Sequence, residues 1–326
     1  MMRGSIVLLC ATILGMGAFL PGMALSLDYP TKPVELVVPY TAGSSLDVVS
    51  RLIAEIAPTY MPQPIVVVNK PGAGGSLAAA EVIQAKPDGY KLNIQGNMFF
   101  ATTVKTQKVP FNPDDLVPIA NFMEWRLGLI VRQDSPWKTL GDLLAYAKKN
   151  PGELKWSHLG RGIPPTIILM SVFKKAGVQT IDVPYKGNPE AFAALLGRHV
   201  DACSMGMAVI KDQAKAGNVR YLVFYSDHRY SDEPNVPCLQ ELGFSEAAKL
   251  MTFGAIWVHK NTPEAIKSYL FNVCKKIYDD PRFKKLPDMG GEDPRWGGPD
   301  FVKQKVKDME EAGIPVLKEL GLYTGK

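Results

Sequence analysis

Residues 29–91 read YPTKPVELVVPYTAGSSLDVVSRLIAEIAPTYMPQPIVVVNKPGAGGSLAAAEVIQAKPDGYK, and two periodicities in this stretch decide the fold. Glu35-Leu36-Val37-Val38-Pro39 is a short apolar run that suits a strand buried on both faces. Apolar residues then recur at helical spacing at Leu46, Val49, Leu52, Ile53 and Ile56. Ile65-Val66-Val67-Val68 predicts a second strand, Gly72-Ala73-Gly74-Gly75 a turn, and Ser76 to about Lys86 an alanine-rich helix. Asp88-Gly89 turns the chain into a third strand around Tyr90 to Ile94. Strands alternating with helices imply a parallel sheet covered on both faces.

Working outward, the same alternation starts again after Leu127-Gly128-Leu129-Ile130-Val131. Helices are expected near 140–149, 166–175, 192–196 and 209–216, and strands near 155–157, 181–185, 200–203 and 220–225. A strand near 252–257 leads to helices near 263–278 and 299–320. The reading is an α/β protein of two lobes, each a central, mostly parallel sheet flanked by helices. Lobe 1 takes residues 27–128 and 251–326, and lobe 2 takes 129–250. Crossovers near 122–132 and 250–258 form a hinge, and the ligand cleft is expected beyond the carboxyl ends of the strands. One large doubly wound sheet is the alternative.

With 326 residues, 46% hydrophobic and 21% charged, the composition is that of a folded protein, not a disordered or polytopic membrane chain. The net charge of +5 is spread without a long basic run, which argues against a nucleic-acid partner. Residues 1–26 read as a cleaved export signal: Arg3 lies in a short n-region, Ser5 to Leu20 carries no charge, and Ala24-Leu25-Ser26 supplies small residues for cleavage. The apolar run is shorter than the ~20 residues of a membrane span. Leu9 before Cys10 does not fit a lipoprotein signal. Cys203, Cys238 and Cys274 remain, enough for one disulfide at most.

Beyond this pattern the residues carry a resemblance. The Tyr29–Lys91 stretch resembles the periplasmic solute receptors of tripartite tricarboxylate transporters, the Bug or TctC family, in its YPxKP opening, its VPY-xAG turn, its PIVVVNKPGAGG segment and its KPDGYKL. The likeness continues through Val183-Pro184-Tyr185-Lys186-Gly187, Leu196-Gly197-Arg198-His199-Val200-Asp201 and Ala216-Gly217-Asn218-Val219-Arg220. It implies the two-lobed, type II periplasmic binding-protein fold, carriage of a small carboxylate or a close relative to membrane permease subunits, a monomer, no cofactor and a periplasmic location. A receptor presenting the ligand to a signalling kinase is the alternative.

Candidate ligand residues follow the strand ends. Tyr40, Ala42, Gly43, Ser44, Ser45 and Asp47 join a strand to a helix start, where free N–H groups and the helix dipole favour an anion. Ser44 with Asp47 also reads as a helix cap. Asn97 and Phe99 follow the third strand and serve either the core or a ligand with an apolar body. In lobe 2, His158, Gly160 and Arg161 depart from the family's Ser/Gly-rich turn. Arg161 suits a second carboxylate or a solvated loop. Tyr185, Ser204 and Met205 end the next strands; family members often carry an acid or amide in the last of these turns, so the resemblance implies that Ser204-Met205 does not recognise a ligand amine. Phe99, Phe100 and Arg161 lean toward an aromatic or otherwise apolar-bodied dicarboxylate. Trp125 and Arg126 belong to hinge or cleft.

Catalytic and metal motifs are missing. There is no HExxH, CxxC or GxSxG, and Gly72-Ala73-Gly74-Gly75 lacks the third glycine of a dinucleotide loop because Leu77 stands there. The expectation is a protein that is not an enzyme, with an exported hydrolase using Ser45 or Cys203 as the remote alternative.

Overall fold

The computed structural model describes residues 28–290 and 292–324, so the expected export signal at 1–26 lies outside the described residues. The strands are β1 (Val34–Val38), β2 (Ile65–Asn69), β3 (Lys91–Gly96), β4 (Leu116–Glu124), β5 (Leu127–Arg132), β6 (Lys155–His158), β7 (Ile181–Pro184), β8 (Ala202–Gly206), β9 (Val219–Phe224), β10 (Phe253–His259) and β11 (Asp293–Gly297). They form a six-stranded sheet in the order β11-β4-β10-β3-β1-β2 and a five-stranded sheet in the order β7-β6-β8-β5-β9. In the first, β1 to β4 run one way and β10 and β11 the other. In the second, only β5 opposes the rest. The two-lobed, mostly parallel α/β architecture is therefore as expected.

The longer helices are α1 (Ser45–Ile56), α2 (Ser76–Gln84), α3 (Leu140–Lys149), α4 (Pro164–Ala176), α5 (Asn188–Leu196), α6 (Glu264–Asp279) and α7 (Pro299–Glu319). In α1 the apolar positions at helical spacing, Leu46, Val49, Leu52, Ile53 and Ile56, are all buried. Thr139 and Asp142 close a reciprocal capping box that starts α3. Gly177, in the left-handed region at φ 65°, ends α4.

Each sheet is covered on both faces, and strand alternation sorts the side chains. Leu36 and Val38 of β1 pack with Ile53 and Ile56 of α1, while Val37 faces Phe100 and Trp257 on the other side. In lobe 2, Leu129 and Val131 join Trp156 and Phe173, and Ile130 turns to Leu195 and Met205. Burying one such aliphatic side chain stabilises the fold by roughly 1.5–3 kcal/mol. Cys203, Cys238 and Cys274 are buried free thiols.

Two segments carry the chain between lobes. Trp125 and Arg126 lie between β4 and β5, and residues up to Thr252 lead from lobe 2 into β10. They run side by side, with the Trp125 N–H donating to the Thr252 carbonyl at 3.0 Å. Helix α7 spans the boundary as well: Val302 packs in lobe 1, whereas Met309 and Leu317 are buried in the lobe 2 core. The C-terminal segment, assigned to lobe 1 from sequence, thus contacts both cores. Among the described residues, no helix is long and apolar enough to cross a membrane.

Candidate functional site

The loop from Tyr40 to Ser45 leaves the carboxyl end of β1 and enters α1. Gly43 sits at φ +84°, where a side chain would be strained, and its N–H donates to Asp47 Oδ2 at 2.9 Å. Asp47 also accepts from Arg51 Nε at 2.9 Å and Asn69 Nδ2 at 2.8 Å. Asn69 Nδ2 in turn reaches the Tyr40 carbonyl at 3.0 Å. Burial alone would raise the Asp47 carboxyl; the bonds from Arg51, Gly43 and Asn69 outweigh it and hold the group below its ordinary value. Asp47 therefore anchors the loop as a carboxylate, its charge matched by Arg51.

Ser44 caps α1 by accepting the Asp47 N–H at 3.4 Å. Its own hydroxyl proton is left for another partner. The N–H groups of Ser45 and Leu46 open the helix and have no acceptor one turn back, so donors and dipole converge here. Ser45 Oγ donates to Glu292 Oε1 at 2.5 Å, a contact spanning 247 positions. Burial pushes the Glu292 carboxyl up to about 7, against the Ser45 bond and the Arg126 N–H.

This loop forms one wall of an interlobe cleft of about 280 Å³. Tyr40, Ser44, Ser45 and Leu46 meet Met98 after β3, Trp125, Leu127 and Thr252 at the crossovers, and Pro164 at the start of α4 in lobe 2. Trp125 packs over Gly96: a Cβ there would sit 3.3 Å from the indole ring. Behind Trp125, Arg126 forks onto Asp293 at 2.6 and 2.5 Å, bonds Asp232 of lobe 2 at 2.8 Å and lies over the Tyr230 ring at 4.5 Å. The hinge thus carries an arginine tied to both lobes, one guanidinium shared by two carboxylates.

An open cleft at a double crossover, with an anion-favouring helix start on one wall, is receptor geometry. The family model for "Tripartite tricarboxylate transporter family receptor" (TctC) matches residues 49–322 of this chain. The chain belongs to that receptor family. A Cupriavidus necator relative, "UPF0065 protein in gbd 5'region", is 34% identical over 95% of this chain and 93% of its own length. The structure of a TctC solute binding protein from Polaromonas, solved with no ligand, superposes with a TM-score of 0.81 at 28% identity, covering 89% of this chain and 99% of that one. A Rhodopseudomonas palustris protein solved with adipate superposes with a TM-score of 0.71 at 25% identity, over 90% of this chain and 99% of that one. The family is one of solute-binding receptors, not of enzymes.

Of the residues singled out from sequence, this TctC receptor brings Tyr40, Ser44 and Ser45 to the cleft wall, with Ala42 and Gly43 exposed in the same loop. Others it places elsewhere. Asn97 is buried, donating to the Met251 carbonyl at 3.1 Å and accepting the Phe253 N–H at 3.0 Å, which stitches β3 to the second crossover. Phe99 is core, edge-on to Phe100, which stacks on Trp257. His158 is buried; its Nδ1 accepts the Gly160 N–H at 2.9 Å, so its Nε2 is the end that donates to Asp182 at 3.0 Å. Arg161 forks onto the same Asp182 at 2.8 and 2.9 Å and holds that carboxyl below its ordinary range. Ser204 Oγ is spent on the Pro165 carbonyl and the Tyr225 hydroxyl, Met205 is buried, and Tyr185 packs partly buried against the same core.

Leu46, Met98, Leu127, Pro164, Thr252 and Glu292 escaped sequence reasoning. Helix starts are visible in sequence, and Pro164-Pro165 marks one. That this particular helix start meets α1 across the cleft is not.

Proposed function

We propose that this protein is a periplasmic receptor that captures a small organic carboxylate between its lobes and delivers it to the membrane subunits of a tripartite transporter. The supporting observation is the cleft itself: the α1 start, with Ser44 and two free N–H groups, forms its wall where the two lobes meet over a paired crossover. Backbone donors fixed by Asp47 are pre-organised, so a carboxylate binds without further ordering of the loop. The periplasmic location follows from the family and the export signal read at residues 1–26. Adipate in the R. palustris neighbour supports a carboxylate cargo.

A thermal-shift panel on chain stripped by unfolding and refolding tests the reading. The panel takes aliphatic and aromatic carboxylates, matched amides and acidic amino acids. A ligand at 100 times its Kd adds about 2.7 kcal/mol, a shift of roughly 5 °C for a chain of this size. A selective rise with carboxylates is expected; a flat panel would overturn the assignment.

A further inference from the structure

We infer that residues 226–232 of lobe 2 form an electrostatic latch on the far side of the hinge, which holds the lobes apart at the cleft, so that closure over a ligand works against it. Such a latch acts on the balance of open and closed lobes, whatever the cargo. Strand order places it. In the six-stranded sheet β4 has β11 on one side and β10, β3 and β1 on the other; in the five-stranded sheet β5 has β9 on one side and β8 and β6 on the other. The cleft is lined from the ends of β1, β3 and β6, through Ser44 and Ser45, Met98 and Pro164. It therefore lies on one flank of the β4–β5 crossover, and β11 faces the segment after β9 on the other. Two lobes turning about that crossover approach on one flank as they part on the other.

The latch belongs to lobe 2. Arg229 Nε sits 2.8 Å from both Glu241 carboxylate oxygens, and buried Tyr230 packs edge-on to Phe224 at 4.9 Å. Its charged side chains nevertheless reach across. Asp227 accepts from Lys305 of α7 at 2.9 Å and from Arg295 of β11 at 3.3 Å. Asp232 accepts from Arg126 at 2.8 Å. His228 Nε2 lies 3.0 Å from Oε1 of Glu124, a carboxylate only 1% exposed at the end of β4. Arg295 Nε stands 3.9 Å from the other Glu124 oxygen, so His228 is the nearer cation. Bonds to Asp227 and Glu124 push His228 up to about 9, against burial and the Arg295 Nη1 at 2.8 Å from its Nδ1. An imidazolium therefore faces Glu124 at neutral pH, and parting the two would leave a buried charge with less compensation.

The double variant Asp227→Asn, Asp232→Asn tests this. It removes the lobe 2 carboxylates, while Arg126 keeps its fork onto Asp293. Neither residue lines the cleft. Solution scattering of the unliganded double variant should give a smaller radius of gyration than the parent. Adipate or benzoate, titrated by calorimetry, should bind about threefold or more tightly, because the closed-lobe fraction rises. Asp279→Asn with Asp300→Asn makes the same change in net charge away from the latch and should alter neither quantity. A radius equal to or larger than the parent's would overturn the latch, as would affinity that rises equally in the control. A smaller radius with neither acid bound would sustain the latch and count against the carboxylate reading instead. Should the double variant fail to fold, Asp232→Asn alone, at the exposed end, should shift the radius in the same direction by less, and an unchanged radius there would overturn the latch.

Discussion

Burial holds the Glu292 carboxyl at about 7, where an ordinary glutamate titrates near 4.5; Ser45 and the Arg126 N–H pull it down and Asp293 pushes it up. The fold prefers its protonated form. Glu292 therefore gives its full contribution to stability below about pH 4.5 and loses it as pH rises through 7. Glu292→Gln removes this titration, so its stability should fall less than the parent's over that window and exceed it at pH 8 by up to about 3 kcal/mol. Urea unfolding at pH 5 and pH 8 reads this directly, and parallel losses in both proteins would refute it. Protonated Glu292 can also donate to Ser45 Oγ, releasing the Ser45 proton toward a bound anion. Carboxylate affinity should accordingly fall as pH climbs past 7 in the parent but not in Glu292→Gln. At this scale the sequence disclosed the loop but not its partners. Ser44 and Asp47 are legible because a cap is local. Glu292 lies 247 positions from Ser45, and nothing near Glu292 marks it. His158, Arg161 and Ser204 are the converse: polar residues at strand ends look available until the packing shows Asp182 and the Pro165 carbonyl already using them.

Among the elements, the crossovers concentrate the interactions that link the lobes. The Arg126 guanidinium is buried and bonds Asp293 on the lobe 1 side and the exposed Asp232 on the lobe 2 side. Arg126→Met leaves Asp293 without its bidentate partner and should cost about 3 kcal/mol. Asp232→Asn, at the exposed end, should cost under about 1 kcal/mol. Equal losses in urea unfolding would show that the fork onto Asp293 is not the dominant bond. Helix α7 carries a second test. Leu317 is buried in the lobe 2 core, so Leu317→Ala should cost about 2–5 kcal/mol, and a surface-like loss below about 0.5 kcal/mol would place the helix end outside that core. Most strands and helices were legible because their periodicities of two and 3.6 are strong. Strands β4 and β11 were not. Pro118 interrupts β4, and proline in a run argues against an inner strand; the sheet accommodates it at a register shift opposite Trp257. Strand β11 reads Asp-Pro-Arg-Trp-Gly, a turn by composition, and pairs with β4 only because the chain returns to lobe 1.

At the scale of the whole molecule, these features predict how binding is transmitted. Two chain segments joined by the Trp125 N–H to Thr252 carbonyl bond can bend together without exchanging sheet partners. A ligand held by the α1 start of lobe 1 and touching Pro164 of lobe 2 gains its lobe 2 contacts only when the walls approach, and that difference in contact drives closure. The radius of gyration from solution scattering should fall on saturation with a binding carboxylate. Trp125 is the one tryptophan of five that lines the cleft; Trp156 and Trp257 are buried in the two cores. Ligand addition should thus change the emission of the parent, and Trp125→Phe should abolish most of that change while still binding. Emission that responds without a fall in radius would mean the cleft fills with the lobes at fixed separation. A fall in radius with no dependence on Trp125 would move the ligand away from the crossover and toward the outer loops. Only the two responses together, both lost when Ser44 and Ser45 are replaced by alanine, fit a ligand seated at the α1 start and sensed by the hinge beside it.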